Sequence, residues 1–149
     1  MANTNIQHRI TLFGQPTNMT CWSAATTMLF GDRSIGSGTA SVGSSGGLNS
    51  NYNNMVLFAT AHNLTLHAPQ SWTVQGLTNL LQRGPFVMAG RVPSGHAFVI
   101  AGINTDGTPL GTVLTIYDPW PPNTGKKYTV IYSQFMNKYP MASMYVLQR

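Results

Sequence analysis

From Pro85 to the C-terminus the chain is a succession of short runs rich in valine, isoleucine and aromatics, each bounded by turn residues: PFVMAG, HAFVIAGI, TVLTIYD, KYTVIYSQF and SMYVLQR. β-Branched and aromatic side chains suit a pleated, half-buried surface, and runs this short joined by tight connections fold back on one another. An antiparallel sheet is therefore expected in this half. The first half has another period. Cys21 to Phe30 places Trp22, Ala25, Met28 and Leu29 at helical spacing, with Thr17, Asn18 or Thr20 available as the cap and Gly31 as the stop. Asn51 to His62 sets Tyr52, Met55, Val56 and Ala59 on one face, and Thr73 to Arg83 does so with Val74, Leu77, Leu80 and Leu81, ended by Gly84 and Pro85. Helices first and sheet second give the class α+β: an N-terminal helical part packed on a C-terminal antiparallel sheet.

Within the helical half, between its first two segments, residues 34–50 read SIGSGTASVGSSGGLNS, a composition that disfavours regular structure and predicts a flexible Gly/Ser-rich loop. Too few residues precede it to bury a core of their own, so it is an excursion within a single domain spanning residues 1–149. The 42% hydrophobic content is enough to fill one core.

Charge narrows the chemistry. Only 7% of residues are charged, and the acids are three aspartates, Asp32, Asp106 and Asp118. A glycosidase needs two carboxylates at its bond and a hard-metal site several, so either would consume nearly every acid present. The net charge of +5 favours acidic partners, but the basic residues are scattered, with one adjacent pair at Lys126 and Lys127, and no stripe follows a phosphate backbone. Nucleic acid is not an expected partner. A single cysteine excludes an intramolecular disulfide and multi-cysteine metal sites. The first ten residues carry no apolar secretory run and no stretch is long enough to span a membrane, so a soluble protein without a Sec signal peptide is expected, exported if at all by a specialised bacterial secretion system.

Cys21 falls in the first turn of a predicted helix, where the helix N-terminus stabilises a thiolate. A lone cysteine is commonly just a small buried hydrophobe, so the argument rests on its neighbours. Gln15, six positions earlier on a loop shaped by Gly14 and Pro16, can place an amide donor beside an oxyanion. Trp22 follows directly and suits either core packing or the wall of a site. His96 and Asp118 lie on two strands joined by NTDGTPLG, and their midpoint is residue 107, the glycine of Asp106-Gly107. A hairpin symmetric about that turn makes them cross-strand neighbours on one face. A one-residue slip would turn one of them away. So placed, the carboxylate holds the imidazole tautomer and stabilises its charged form. Pro119 and Trp120 would hold Asp118 and shield it from water. His8, His62 and His67 are structural or surface residues, Asp32 and Asp106 are turn residues, and no metal site is expected: His62 and His67 are five apart, off the spacing that aligns two ligands on a helix.

These residues resemble the papain superfamily: a glutamine six positions before a Cys-Trp pair at a helix head, then Gly95-His96 opening an apolar strand, then Asp118-Pro119-Trp120. More narrowly they resemble compact bacterial forms, which include bacteriocin-leader-processing peptidase domains and avirulence-effector cysteine proteases. The resemblance implies a papain-like fold and a cysteine peptidase in which Gln15 stabilises the oxyanion, Cys21 attacks, His96 does acid–base work, Asp118 orients it and Trp120 covers the pair, with Gly95 shaping the site. It implies no cofactor, a protein or peptide substrate, a possible cognate inhibitor or immunity protein, and the role of a secreted effector or toxin. Two other functions fit the residues: a peptidoglycan-cleaving cysteine amidase, which the positive charge would suit, and a non-catalytic papain-like binding module using the 34–50 loop as its contact surface.

Overall fold

The computed structural model describes residues 3–31, 35–38, 40–44, 46–49, 51–90 and 96–149. In chain order these form β1 (Thr4–Gln7), α1 (Cys21–Phe30), α2 (Tyr52–Ala61), β2 (Thr65–His67), α3 (Val74–Arg83), β3 (Phe86–Gly90), β4 (His96–Thr105), β5 (Thr112–Asp118), β6 (Lys126–Ile131), α4 (Tyr132–Lys138), a 3-10 turn (Met141–Ser143) and β7 (Met144–Gln148). The strands make one seven-stranded sheet in the order β2-β7-β3-β4-β5-β6, and every pairing is antiparallel. β4 is the long central strand. Along one of its edges β3 pairs with His96 to Ile100 and β1 continues with Gly102 to Thr105.

Period-two alternation divides the core between the two faces of the sheet. Val87, Ala97, Val99, Ala101, Tyr117 and Leu147 face α1 and α2, whereas Met88, Phe98, Ile100, Ile116 and Val146 face α3 and α4. The helices therefore cover both faces, and it is α1 that lies across β4. Ala25 on the helix and Ala97 and Ala101 on the strand share this buried cluster, and side chains this small permit a close approach. The C-terminus of α1 is closed by Gly31 at φ 85, whose N–H donates to Thr27 O at 2.7 Å. No helix among the described residues is long and apolar enough to cross a membrane.

Two elements depart from the sequence expectation. KYTVIYSQF is strand only as far as Ile131; from Tyr132 it becomes α4, because Tyr132, Phe135 and Tyr139 recur at three- and four-residue spacing and are all buried. Phe135 and Tyr139 pack on Phe98 with ring centroids 5.9 and 4.8 Å away. On α2 the buried face is Asn54, Met55, Phe58 and Ala59, while Tyr52 and Val56 are 55% and 36% exposed. The buried face is thus turned toward Asn54 and Phe58 and away from Tyr52 and Val56.

Two connections flanking the end of the sheet are bound to each other. Gln15 N–H donates to Pro119 O at 3.0 Å and Asn123 N–H donates to Gln15 O at 2.7 Å. Gly14 comes so close to this second connection that a Cβ would stand 2.4 Å from Thr124 N and 2.5 Å from Asn123 C, both main-chain atoms that have no rotamer with which to retreat. The loop leading to Cys21 is thereby fixed against the segment following Asp118. Gly14→Ala should destabilise the chain by about 1–3 kcal/mol, as overpacking does, measured by urea unfolding; a change below roughly 0.5 kcal/mol, the usual size for a surface site, would show that the approach is not tight.

Candidate active site

Cys21 is the first residue of α1 and is 6% exposed. Thr20 is the residue before it, but its hydroxyl bonds Thr17 and no side chain caps the helix. The positive end of the helix dipole is thus presented at the sulfur-bearing residue without an intervening cap.

β4 and β5 bring His96 and Asp118 together, though not directly opposite one another. The observed pairing runs from Thr105–Thr112 to Gly102–Thr115, slips at Ala101, and resumes as Ile100–Ile116 and Val99–Tyr117. One step further sets Phe98, not His96, opposite Asp118. His96 lies two residues beyond, on the same face as Phe98, with the two rings 5.8 Å apart. Such a diagonal neighbour is within reach of a long side chain. The bulge decides this: without it Asp118 would oppose Val99, and His96, three residues away, would point to the other face. In the event His96 Nε2 lies 2.7 Å from Asp118 Oδ1, and the same oxygen accepts the Trp120 N–H at 2.9 Å. With Nε2 on the carboxylate, Nδ1 is the ring atom left for the hydrogen bond between His96 and the Cys21 side chain. As the first residue of β4, His96 stands at the open end of the sheet, where the α1 layer and the opposite layer meet.

The electrostatics of the ring follow from that position. Its side chain is 18% exposed and that of Asp118 is 7%. Burial is the largest single influence and lowers the His96 pKa. It is outweighed by the hydrogen bonds to Asp118 and to Cys21 together with the negative charge of each, and the value is pushed up to about 9.

Gln15 is fully buried. One of its amide hydrogens goes to Thr17 O at 2.7 Å, and among the described residues its carboxamide oxygen has no partner. The Trp22 indole N–H donates to Gly46 O at 2.8 Å, and its ring meets Phe58 edge-on with centroids 5.8 Å apart. Trp120 holds Asp118 through its main chain, while its ring is 45% exposed. Gly95 lies outside the described residues. The other histidines are engaged elsewhere: His8 Nε2 lies 2.6 Å from Leu81 O and His62 Nε2 2.7 Å from Gly36 O, and His67 packs on Trp72.

Cys21, Trp22 and His96 line one cleft together with Met19, Leu48, Met55, Ala89 and Tyr145. The sequence pattern did not single out these last five for the cleft. Met55 and Tyr145 read as core residues, Met19 and Leu48 as loop residues, and only the meeting of five separate segments makes them a wall. Among the described residues no group of His, Cys, Asp or Glu side chains is arranged to hold a metal ion.

A cysteine at a helix head, beside a half-buried imidazole whose other nitrogen is held by a carboxylate, is an arrangement suited to acyl transfer. Comparison with curated proteins gave no match. The family model described as papain-like cysteine protease AvrRpt2 matches residues 2–140. The chain belongs to that family and is a cysteine peptidase, a hydrolase.

Proposed function

We propose that the chain hydrolyses peptide bonds of a protein substrate through Cys21, His96 and Asp118, with Gln15 contributing to the oxyanion hole. The observation that carries this reading is the half-buried ring of His96, hydrogen-bonded to Asp118 at 2.7 Å and also to the Cys21 side chain. The sulfur attacks the carbonyl carbon as a thiolate, and the carbonyl oxygen takes up the negative charge. The Cys21 N–H at the head of α1 and the second amide hydrogen of Gln15 are the donors in the right part of the fold to receive it. The His96 imidazolium gives its Nδ1 proton to the departing amine, leaving a thioester on Cys21. The now neutral ring takes a proton from water, whose oxygen attacks the thioester and releases the acid and the thiol. Asp118 fixes the tautomer that puts Nδ1 toward sulfur. The link between Gln15 and Pro119 keeps the oxyanion donor in register with the segment that carries Asp118. Action as a delivered effector agrees with the family likeness. Proteomic mapping of cut sites in lysates of the producing cell and of other cells, wild type against Cys21→Ala, identifies which proteome holds the substrate.

Casein-type substrate should be cleaved by the wild type, and Cys21→Ala should be inactive. His96→Ala should fall by roughly 10²–10⁴-fold in kcat/KM, the usual weight of a general acid–base. Equal cleavage by wild type and His96→Ala would remove the histidine from the mechanism. Cleavage of peptidoglycan and not of casein would move the substrate to the cell wall.

The pH dependence has a defined sign. A histidine whose pKa is raised stays charged up to that value and loses its proton above it, so kcat/KM should decline on the alkaline side through about pH 9. Asp118→Asn removes the negative charge that holds the ring protonated and weakens the hydrogen bond from a charge-assisted to a neutral one, and burial then acts with less opposition. The alkaline limb should move to lower pH. A limb that stays in place in Asp118→Asn would separate Asp118 from the titration of His96.

A further inference from the structure

The Gly/Ser-rich stretch contains a built element. Val42 and Leu48 form an antiparallel bridge. Gly43 N–H donates to Gly47 O at 2.8 Å, Gly46 N–H to Gly43 O at 3.0 Å and Asn49 N–H to Ser41 O at 3.1 Å. The result is a narrow ribbon whose legs lie in residues 41–44 and 46–49. An isolated two-stranded ribbon is marginal in water, and one built largely of glycine and serine gives up much backbone entropy on ordering, so it needs support from outside itself.

That support comes chiefly from one side chain. Asn54, buried on α2, accepts the Ser41 N–H at 2.6 Å and donates to Ser41 O at 2.9 Å and to Asn49 O at 2.8 Å. One carboxamide thus grips both legs of the ribbon, and both of its amide hydrogens are used. The far end is held by the Trp22 indole on Gly46 O. Between these two anchors Gly47 and Leu48 face the cleft that contains Cys21 and His96. Gly47 packs on Met19 so closely that a Cβ there would meet Met19 Cε at 2.9 Å. Asn54 is followed in sequence by Met55, which lines the same cleft, so one turn of α2 both supplies a wall and fixes the wall beside it.

We propose that Asn54 is a positioning residue for substrate selection: by holding both legs of the ribbon it sets the shape of the cleft beside Cys21, and so which peptide side chain is accepted. The proposal rests on the peptidase reading of Cys21 and His96. Asn54 is buried and acts through Gly47 and Leu48. Its loss should therefore weaken recognition of a substrate-like group without altering the reactivity of the sulfur.

The test compares two thiol reagents on the full-length chain. A leucyl epoxysuccinate must seat an apolar side chain in the cleft, whereas iodoacetamide reaches the sulfur without one. Asn54→Ala removes all three bonds. Asn54→Asp keeps the size of the side chain and the acceptor for Ser41 N–H but sets a carboxylate against the carbonyls of Ser41 and Asn49. In both variants KI for the leucyl epoxide should rise about tenfold, the order expected for buried hydrogen bonds lost, while kinact stays within about twofold. The iodoacetamide rate and its pH profile should match the wild type. The proposal is overturned by an unchanged KI, by a fall in the iodoacetamide rate in proportion to the epoxide effect, or by loss of fold in both variants on circular dichroism, which would make Asn54 a core residue and nothing more. Failure of the underlying peptidase reading is seen separately, as a wild-type iodoacetamide profile that His96→Ala does not change; that result takes this proposal with it.

Discussion

The His96 ring, tied to Asp118 at one nitrogen and to Cys21 at the other, has to be assembled from three elements remote in sequence. Each of them is placed by something that has little to do with the ring itself. The slip at Ala101 in β4 brings His96 onto the face that Asp118 occupies. Alanines at the contact of α1 and β4 let the helix carrying Cys21 lie close on the sheet. The Trp120 N–H on Asp118 Oδ1 stops the carboxylate from turning away. Burial favours the neutral ring, and both partners oppose it. Removing either partner leaves the cost of burial in place and takes away part of what opposes it.

Neutral polar groups do most of the remaining positioning. The His96–Asp118 contact is the one ion pair among the described residues, in keeping with a chain that has three acids. Carboxamides and main-chain groups serve instead. Gln148 Nε2 joins the end of β7 to Leu80 O and Gly84 O at 2.7 and 3.0 Å, Asn54 joins α2 to the ribbon, and the Gln15 peptide joins the loop before α1 to the segment after β5. Such bonds are directional and are costly to leave unmade once buried. Unlike exposed ion pairs, they owe little to ionic strength.

Much of this was legible in the sequence because it depends on period and on turn chemistry. Apolar spacing marked α1 and α3, β-branched runs marked the sheet, and the Asp106-Gly107 turn implied that His96 and Asp118 would meet. The hairpin argument reached the right neighbours through the wrong register, since a symmetric turn and a wider turn followed by a bulge leave the same two residues on one face. What escaped is what one polar side chain decides in three dimensions. Asn54 was not among the residues that helical spacing placed on the buried face of α2, and its burial makes sense only once the ribbon that uses its carboxamide is in place. The Gly/Ser-rich composition described a backbone with no preference of its own, which is the kind of segment whose shape must come from its neighbours. Tyr132 and Phe135 satisfied strand propensity and helical spacing together, and packing against Phe98 decided between them.

The placement of Trp22 ties the cleft wall to the helix that carries Cys21. It follows Cys21 directly, so its ring direction is fixed by the same first helical turn that fixes the sulfur. Its indole N–H then sets the position of Gly46, one residue from the part of the ribbon that walls the cleft. A displacement of α1 would carry the sulfur and that end of the ribbon together, so the distance from sulfur to wall is better conserved than the position of either. The other end of the ribbon hangs from α2, which packs in the same layer as α1. Changes in the ribbon's own side chains therefore alter the lining of the cleft while its two anchors and the His96–Asp118 contact stay where they are, because none of those bonds is made by a ribbon side chain. On the proposed reading, specificity is free to vary on a segment that the proposed chemistry does not use.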